Sequence, residues 1–297
     1  MPVDPAQPAK CGFGARLERA VGGRGPLCVG IDPHPGLLRQ WGLGDDVAGL
    51  ESFALSAVEV LAPEVALVKP QSAFFERHGA RGVAVLERVL VVAREAGALV
   101  LLDVKRGDIG STMTGYAQAY LSDGAPLAAD AITASPFLGV GALEPAFELA
   151  GQTGRGVFVL ALTSNPEGID VQSARTGTGS TTAQSVVDEV AARNAGRRPT
   201  GDLGVVVGAT APVANLRLGA LNGPILAPGI GAQGARLADV PSTFGAAARH
   251  VLPAISRKLL RHGPQPASLR RAVRRVAAEA VDMIQSCQGR SAGAPPG

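Results

Sequence analysis

The residues best suited to chemistry lie in the segment 99–114, LVLLDVKRGDIGSTMT. An apolar run leads directly into Asp103 and Lys105, which a β-strand places on the same side because its side chains alternate with period two. Charged groups at such a position are costly to bury unless they pair. A second carboxylate, Asp108, follows three residues after the lysine. The full pattern D-x-K-x-x-D-I-G-x-T indicates a functional site rather than an ordinary salt bridge at a strand end.

A lysine between two carboxylates is suited to proton transfer. The neighbouring negative charge favours the protonated form of Lys105, which makes it a general acid rather than a base or a nucleophile. The carboxylates would also repel an anionic substrate group, and that repulsion ends if the group leaves as neutral CO₂. The array therefore suits decarboxylation with no metal and no organic cofactor. It suits carbanion chemistry on another phosphorylated substrate equally well.

Two late segments predict a phosphorylated ligand. A glycine-rich turn over 229–234 follows one apolar run, and its backbone amides could approach an anion. The next apolar run ends in Ser256 and Arg257, and arginine binds phosphate as a bidentate fork. The turn alone could be only a tight bend, whereas the turn and the arginine together favour a phosphate site.

Eight apolar runs, each followed by a helix or a connection of helix length, position these residues. Their continuous apolar character indicates strands covered on both faces, as in a parallel sheet. Eight such units predict a (β/α)₈ TIM barrel, a single α/β domain over 1–297, with a flexible N-terminal segment 1–12 and C-terminal tail 288–297. A doubly wound open sheet is the alternative, but no dinucleotide-binding fingerprint follows the first strand. The predicted strands are 26–32, 65–70, 99–105, 131–135, 156–164, 204–210, 224–231 and 250–256.

Glycines and periodicity predict the helices between the strands. The range 81–96 carries one apolar stripe and ends at Gly97. We expect the first helix, over 13–21, to end at the Gly22-Gly23 pair, a further helix over 213–221, and a long closing helix over 268–285.

The active site of such a barrel lies at the C-terminal ends of its strands, and the loops after strands seven and eight are its recurrent phosphate site. The predicted strand ends carry an unusual concentration of polar residues: Asp32, Lys69, Asp103, Lys105, Ser164, Thr210, Ser256 and Arg257. We therefore predict the functional site at this end of the barrel.

The composition argues against several other classes of protein. The net charge is only +3 and aromatic residues make up 4%, so the arginines over 270–275 indicate an exposed helix face rather than a nucleic-acid surface. Three widely spaced cysteines form neither a disulfide framework nor a zinc pattern. No apolar run approaches the ~20 residues that span a bilayer, and the N-terminus lacks the apolar core of a signal peptide. We expect a cytoplasmic protein that binds neither nucleic acid nor a membrane.

The segment 100–113, VLLDVKRGDIGSTM, resembles the signature of the orotidine 5′-phosphate decarboxylase family. The resemblance continues through GID at Asp32, VKPQSAFFE at Lys69, LTSNPEG at Ser164, APGIGAQG and the late Ser256-Arg257. The chain is most similar to the longer bacterial branch of that family. The resemblance implies a homodimer that converts orotidine 5′-phosphate to UMP and CO₂, the last step of de novo UMP synthesis, with no cofactor and no metal.

The resemblance also implies roles for individual residues. Lys105 takes the position of the proton donor to C6 of the pyrimidine, and Asp103 that of the acid beside the departing carboxylate. Asp108 matches an acid that reaches into the neighbouring subunit's site, so the active sites would be shared. The other matches are substrate contacts: Asp32 and Lys69 to the ribose hydroxyls, with Lys69 also in the charged network, Thr112 to the ribose, Ser164 to the pyrimidine edge, and Gln233 and Arg257 to the phosphate. Ser256 stands where shorter members have glycine, so its part in substrate binding is open.

Two alternatives remain. A sugar-phosphate decarboxylase or hexulose-phosphate synthase has the same barrel and a similar D-x-K-x-x-D, but it uses Mg²⁺ and carries additional acidic ligands, whereas Lys69 stands here after the second strand. The other alternative is a catalytically inactive barrel that binds a nucleotide for regulation. The intact Asp103, Lys105 and Asp108 argue against it.

Overall fold

The computed structural model describes residues 11–231 and 234–291, with side chains up to residue 287. Eight parallel strands close into a barrel in the order of the chain, with the last strand paired to the first. The predicted (β/α)₈ TIM barrel is therefore confirmed. The strands are β1 (Cys28–Ile31), β2 (Leu67–Pro70), β3 (Leu99–Arg106), β4 (Ala131–Ala134), β5 (Gly156–Leu162), β6 (Leu203–Val207), β7 (Ile225–Ala227) and β8 (Val251–Ile255).

Helices and short 3₁₀ turns connect the strands and cover the outside of the barrel. The α-helices are α1 (Phe13–Arg24), α2 (Pro35–Gln40), α3 (Val47–Leu61), α4 (Ala73–Glu76), α5 (Gly79–Glu95), α6 (Gly110–Leu121), α7 (Glu144–Thr153), α8 (Ile169–Gln172), α9 (Thr182–Asn194), α10 (Val240–Phe244), α11 (Arg257–Leu260) and α12 (Pro266–Ser291). Within the described ranges, none of them combines the length and apolar character needed to cross a bilayer.

The core has two layers because every strand buries both faces. The larger layer lies between the strands and the helices, and the smaller one fills the barrel interior. Helix α1 closes the N-terminal end of the barrel: Phe13 packs edge-on against Phe158 of β5, with ring centroids 5.9 Å apart. The approach requires glycine at 156, since a Cβ there would lie 2.5 Å from the Phe13 ring.

Two of the predicted helices differ from the structure. Helix α1 continues through Gly22-Gly23 and ends at Arg24, followed by Gly25, whose φ is +76°. The Arg24 guanidinium holds this last turn by donating to the carbonyls of Ala62 and Gly97. Tertiary contacts thus outweigh the low helix propensity of two glycines.

The helix expected over 213–221 is wrong, because the structure has only a 3₁₀ turn, Val213–Asn215, there. The buried side chain of Gln184 on α9 explains the difference. Its Oε1 accepts from the Arg217 amide at 2.8 Å, and its Nε2 donates to the Arg217 carbonyl at 3.3 Å. A side chain thereby replaces the backbone hydrogen bonds that a helix would make.

The predicted ends of the chain lie largely outside the described residues. Of the segment 1–12, only residues 11 and 12 are described. Helix α12 runs to Ser291, so its backbone enters the predicted tail 288–297, and residues 292–297 lie outside the described part.

Candidate active site

Two lysines and one aspartate form a charged array at the C-terminal end of β2 and β3. The Lys69 Nζ donates to Asp103 Oδ2 at 2.9 Å, and the Lys105 Nζ donates to Asp103 Oδ1 at 2.6 Å. Lys69 and Asp103 are 7% and 6% exposed, whereas the side chain of Lys105 is 46% exposed. Because unpaired charges are costly in a protein interior, each buried group needs its partner in place. The structure thus brings together three of the predicted catalytic residues.

The ionisation of this array is set by mutual charge. Burial by itself would raise the pKa of Asp103, but the charges and hydrogen bonds of Lys69 and Lys105 hold it far below its usual range. Burial by itself would lower the pKa of Lys69, but the charges of Asp103 and Asp32 raise it above its usual value. Asp103 is therefore a carboxylate and Lys69 an ammonium throughout the neutral range.

The end of β3 leaves regular strand geometry where it carries these groups. Its register against β4 shifts between Leu102 and Arg106. Lys105 has a φ of +46°, in the left-handed region that side chains other than glycine rarely adopt. Such strain clusters at functional sites, where the surrounding structure holds it in place.

Thr133 of β4 is a site residue that the sequence analysis missed. Its hydroxyl donates to Asp103 Oδ1 at 2.7 Å and accepts from the Lys105 backbone amide at 3.0 Å. It is only 1% exposed. The available signal was weak: a single hydroxyl within the apolar run AITA of the predicted fourth strand.

A cavity beside the array has the features of an anion and hydroxyl site. It is lined by the ends of β1, β2, β7 and β8, and its lining includes Asp32, Lys69, Ser256 and Arg257. Asp32 Oδ1 and Ser256 Oγ are both buried and have no hydrogen-bond partner among the described residues. Buried polar atoms are normally paired, so two unpaired ones facing a cavity indicate a place for ligand groups. Gly30 permits this arrangement, because a Cβ there would lie 2.6 Å from the Ser256 Cβ.

The glycine-rich turn after β7 borders the same cavity. Gly229, Gly231 and Gly234 have φ values of +100°, +84° and +96°, a conformation that favours glycine. The Gly231 amide donates to the Ala235 carbonyl at 2.8 Å and closes the base of the turn. Gln233, the predicted phosphate contact, lies outside the described residues.

Ser164 lies just beyond the end of β5, half-buried at the same end of the barrel. Gly208 after β6 makes room for it, since a Cβ there would lie 2.9 Å from the Ser164 amide nitrogen. The preceding residue is fixed by Gln172, whose Oε1 accepts from the Thr163 amide at 2.8 Å. The backbone at Ser164 is thus held at the same end of the barrel as the charged array.

Two predicted site residues lie apart from the array within one chain. Asp108 follows β3, and its Oδ1 accepts from the Ile109 amide at 2.7 Å. Thr112 is exposed on α6. In the part of the chain that the structure describes, neither bonds to Lys69, Asp103 or Lys105. Large apolar side chains nearby are exposed to solvent: Ile109 at 62%, Phe137 at 79% and Leu138 at 53%.

No group of three or more His, Cys, Asp and Glu side chains within 11–231 and 234–287 is arranged to hold a metal ion. What the described side chains do supply is a protonated lysine, a paired carboxylate and a cavity with unpaired polar atoms. They can donate a proton and bind an anionic, hydroxyl-bearing molecule.

Comparison with known proteins identifies relatives over nearly the whole chain. The model of the orotidine 5′-phosphate decarboxylase / HUMPS family matches residues 25–272. The orotidine 5′-phosphate decarboxylase of Salinispora tropica is 62% identical over 267 residues, which cover 90% of this chain and 96% of that protein. The enzyme of the same name from Streptomyces coelicolor is 59% identical over 268 residues, with the same coverage.

Solved structures agree with the sequence comparison. A crystal structure from Streptomyces avermitilis, assigned to orotidine 5′-phosphate decarboxylase, has a TM-score of 0.91 and 55% identity over 96% of this chain and all of that one. The OMP decarboxylase of Leishmania donovani has a TM-score of 0.73 and 32% identity over 92% of this chain and 99% of that one.

Proposed function

The chain belongs to the orotidine 5′-phosphate decarboxylase / HUMPS family, and from that premise we propose that it converts orotidine 5′-phosphate to UMP and CO₂. It is an enzyme of this family, a carboxy-lyase, since its curated relatives carry that enzyme's name at up to 62% identity. Our finer proposal is a mechanism with no metal and no organic cofactor. The observation that carries it is the array of Lys69, Asp103 and Lys105.

The proposed chemistry uses the charges of this array. The Asp103 carboxylate lies beside the carboxylate of the bound substrate and repels it. When the bond from C6 breaks, its electron pair stays on C6 and the carboxylate departs as neutral CO₂, which removes the repulsion. The Lys105 ammonium faces the developing carbanion and transfers a proton to C6. Because these charges are already in place before the reaction, they stabilise the transition state without reorganisation.

The substrate contacts follow from the cavity. We assign Asp32 and Lys69 to the ribose hydroxyls and Arg257 to the phosphate, supported by the unpaired Asp32 Oδ1 and the exposed Arg257 at the cavity. The buried Ser256 Oγ is a second unpaired atom there, and we assign it to substrate binding. The remaining assignments rest on family resemblance: Ser164 to the pyrimidine edge, Thr112 to the ribose and Gln233 to the phosphate.

We also propose a homodimer with shared active sites. Asp108 is half-buried but bonds only to a backbone amide among the described residues. Ile109 in the same loop, and Phe137 and Leu138 in the loop after the neighbouring strand β4, expose apolar surface at the same end of the barrel. Large exposed apolar side chains grouped together are characteristic of protein interfaces. A second copy of the chain on this face would cover these side chains. Asp108 and Thr112 of each subunit would then lie at the charged array of the other subunit.

The remaining proposals concern the chain as a whole. We propose that 1–297 forms one barrel domain and acts in the cytoplasm on a small-molecule substrate, with no nucleic-acid or membrane partner. The three cysteines support the reducing compartment, because all three are free thiols and Cys28 is buried within β1.

The test is cofactor-free turnover by the purified enzyme. We expect the ultraviolet absorbance of orotidine 5′-phosphate to be lost at an unchanged rate when a strong chelator is present. Lys105→Ala, prepared identically, is the control for contaminating activity and should show no measurable loss. Absence of turnover by the wild-type enzyme, or strict dependence on Mg²⁺, would instead favour a sugar-phosphate substrate.

A further inference from the structure

We infer that Thr133 is a positioning residue for proton transfer: its hydroxyl fixes both Asp103 and the backbone that presents Lys105. This inference rests on the proposed function. Thr133 Oγ1 donates to Asp103 Oδ1 at 2.7 Å and accepts from the Lys105 amide at 3.0 Å. The same carboxylate oxygen accepts from Lys105 Nζ at 2.6 Å. One hydroxyl therefore closes a ring that contains the acid and both ends of the lysine.

The location of Thr133 makes its hydroxyl direction well defined. It lies within β4, is 1% exposed, and its register partner in β5 is Phe158. A β-branched side chain has few rotamers, and the two hydrogen bonds of the Thr133 hydroxyl define which one it adopts. A hydroxyl donates and accepts at once, which no apolar side chain of this shape can do.

The backbone at Lys105 is the part that most needs support. Its φ of +46° is unfavourable for lysine, and the pairing of β3 with β4 is irregular at this point. The side chain is long and 46% exposed, so packing alone does not confine it. The bond from its amide to Thr133 and the bond from Nζ to Asp103 hold it at its two ends. Thr133 thereby keeps the ammonium within reach of C6 without touching the substrate.

The kinetic test compares two variants at this position with one elsewhere. Thr133→Val keeps the shape and removes the hydroxyl, and Thr133→Ser keeps the hydroxyl. We expect Thr133→Val to lower kcat by about 10- to 100-fold, the range for a displaced catalytic group, with KM changed by no more than about twofold. Thr133→Ser should stay within a few-fold of the wild type. A KM effect without a kcat effect, or equal losses in the two variants, would overturn the inference.

The matched control is Thr200→Val at the opposite end of the barrel. Thr200 is 7% exposed, and its hydroxyl donates to the Asn222 carbonyl at 3.2 Å. This variant also loses one buried threonine hydroxyl, so it reports the general effect on stability. We expect an unchanged kcat. If Thr200→Val lowers kcat as much as Thr133→Val does, the effect is structural and the inference is wrong.

A second measurement does not depend on turnover. The chain has four lysines, so selective ¹⁵N-lysine labelling gives few and assignable amide signals. In Thr133→Val we expect faster hydrogen exchange at the Lys105 amide, with wild-type exchange in Thr133→Ser and Thr200→Val. Unchanged exchange in Thr133→Val overturns the inference. An inactive wild-type enzyme would overturn the proposed function, and the amide measurement would still decide the role of Thr133.

Discussion

Asp103 is the residue on which the site depends, because two of the four lysines of the chain donate hydrogen bonds to its carboxylate. One carboxylate binds Lys69 through Oδ2 and Lys105 through Oδ1, and Thr133 provides a third bond. In an interior of low polarity each of these groups would be costly alone. The array as a whole keeps one excess positive charge, which suits an anionic substrate.

Asp103 should also govern part of the acid stability of the protein. Its pKa is lowered on folding, so its stabilising contribution is complete above the unfolded value of about 3.9 and is lost as the pH falls through the folded value. Lys69 does not affect stability at acidic pH. Its pKa is raised on folding, so its contribution to the free energy of unfolding changes only above about pH 10.

We therefore predict that Asp103→Asn destabilises the protein most at neutral pH, by about 3–5 kcal/mol, because it leaves Lys69 buried without its anion. The difference from the wild type should narrow below about pH 4, because Asp103 then takes up a proton in the unfolded chain, while its lowered pKa keeps it ionised in the folded protein. Chemical denaturation at fixed protein concentration, from pH 7 down to the lowest pH at which both proteins fold, measures it. A difference that stays constant across this range contradicts the assigned ionisation.

At the scale of elements, the two ends of the barrel differ in structure: one carries the candidate active site and the other is closed by a helix. The C-terminal ends of the strands depart from ideal geometry, as at the register shift of β3 and the left-handed Lys105. The N-terminal end is closed by α1, whose Phe13 is completely buried against β5. Stability and chemistry are thus placed on opposite faces of one barrel, as is usual for this architecture.

This separation predicts the effect of truncating Phe13. Phe13→Ala should lower the free energy of unfolding by about 3–5 kcal/mol, the usual cost of removing a buried aromatic ring, and leave kcat of the folded enzyme unchanged. Phe13→Leu, which keeps most of the volume, should cost less than half as much. Urea denaturation together with steady-state kinetics tests both variants. A fall in kcat at full folding would show that α1 communicates with the site.

At the scale of the whole molecule, one chain does not hold every predicted catalytic group at its array. Asp108 and Thr112 lie on the rim beside the exposed Ile109, Phe137 and Leu138. A dimer with two-fold symmetry would bury the same patch on both copies and complete both sites at once. In the proposed shared site, catalysis would therefore require the dimer.

Complementation between inactive variants tests the shared site. Lys105→Ala and Asp108→Ala should each be inactive, yet a refolded equimolar mixture should regain about a quarter of wild-type activity, because half of the dimers are mixed and each has one intact site. Lys105→Ala mixed with Asp103→Asn is the control and should regain nothing, since both residues serve their own chain. No recovery in isolated Lys105→Ala/Asp108→Ala heterodimers would argue against sharing.

Much of this protein is determined by local sequence. Eight continuous apolar runs specify a parallel barrel, because strands buried on both faces cannot tolerate polar alternation, and polar residues at their ends mark one end of it. Asp103 and Lys105 could be placed on one side of a strand from their spacing alone. The low helix propensity of Gly22-Gly23 and the apolar range 213–221 led to wrong predictions for these two segments. Their structure depends on contacts of Arg24 and Gln184 with distant parts of the chain.

Only the tertiary structure could decide which side chains meet. Lys69 lies 34 residues before Asp103 in the chain, and Thr133 lies 30 residues after it. Both nevertheless donate hydrogen bonds to the Asp103 carboxylate. Neither periodicity nor propensity encodes such a contact, because it depends on strand register and on the shift at the end of β3. Asp32 Oδ1 and Ser256 Oγ, which have no hydrogen-bond partner among residues 11–231 and 234–287, come together only because β1 and β8 close the barrel beside Gly30. The sequence by itself determined the barrel and the chemical types at its active end. The closure of the barrel decided which of these polar residues pair, because a buried charge is stable only beside an opposite charge and that partner comes from a distant part of the chain.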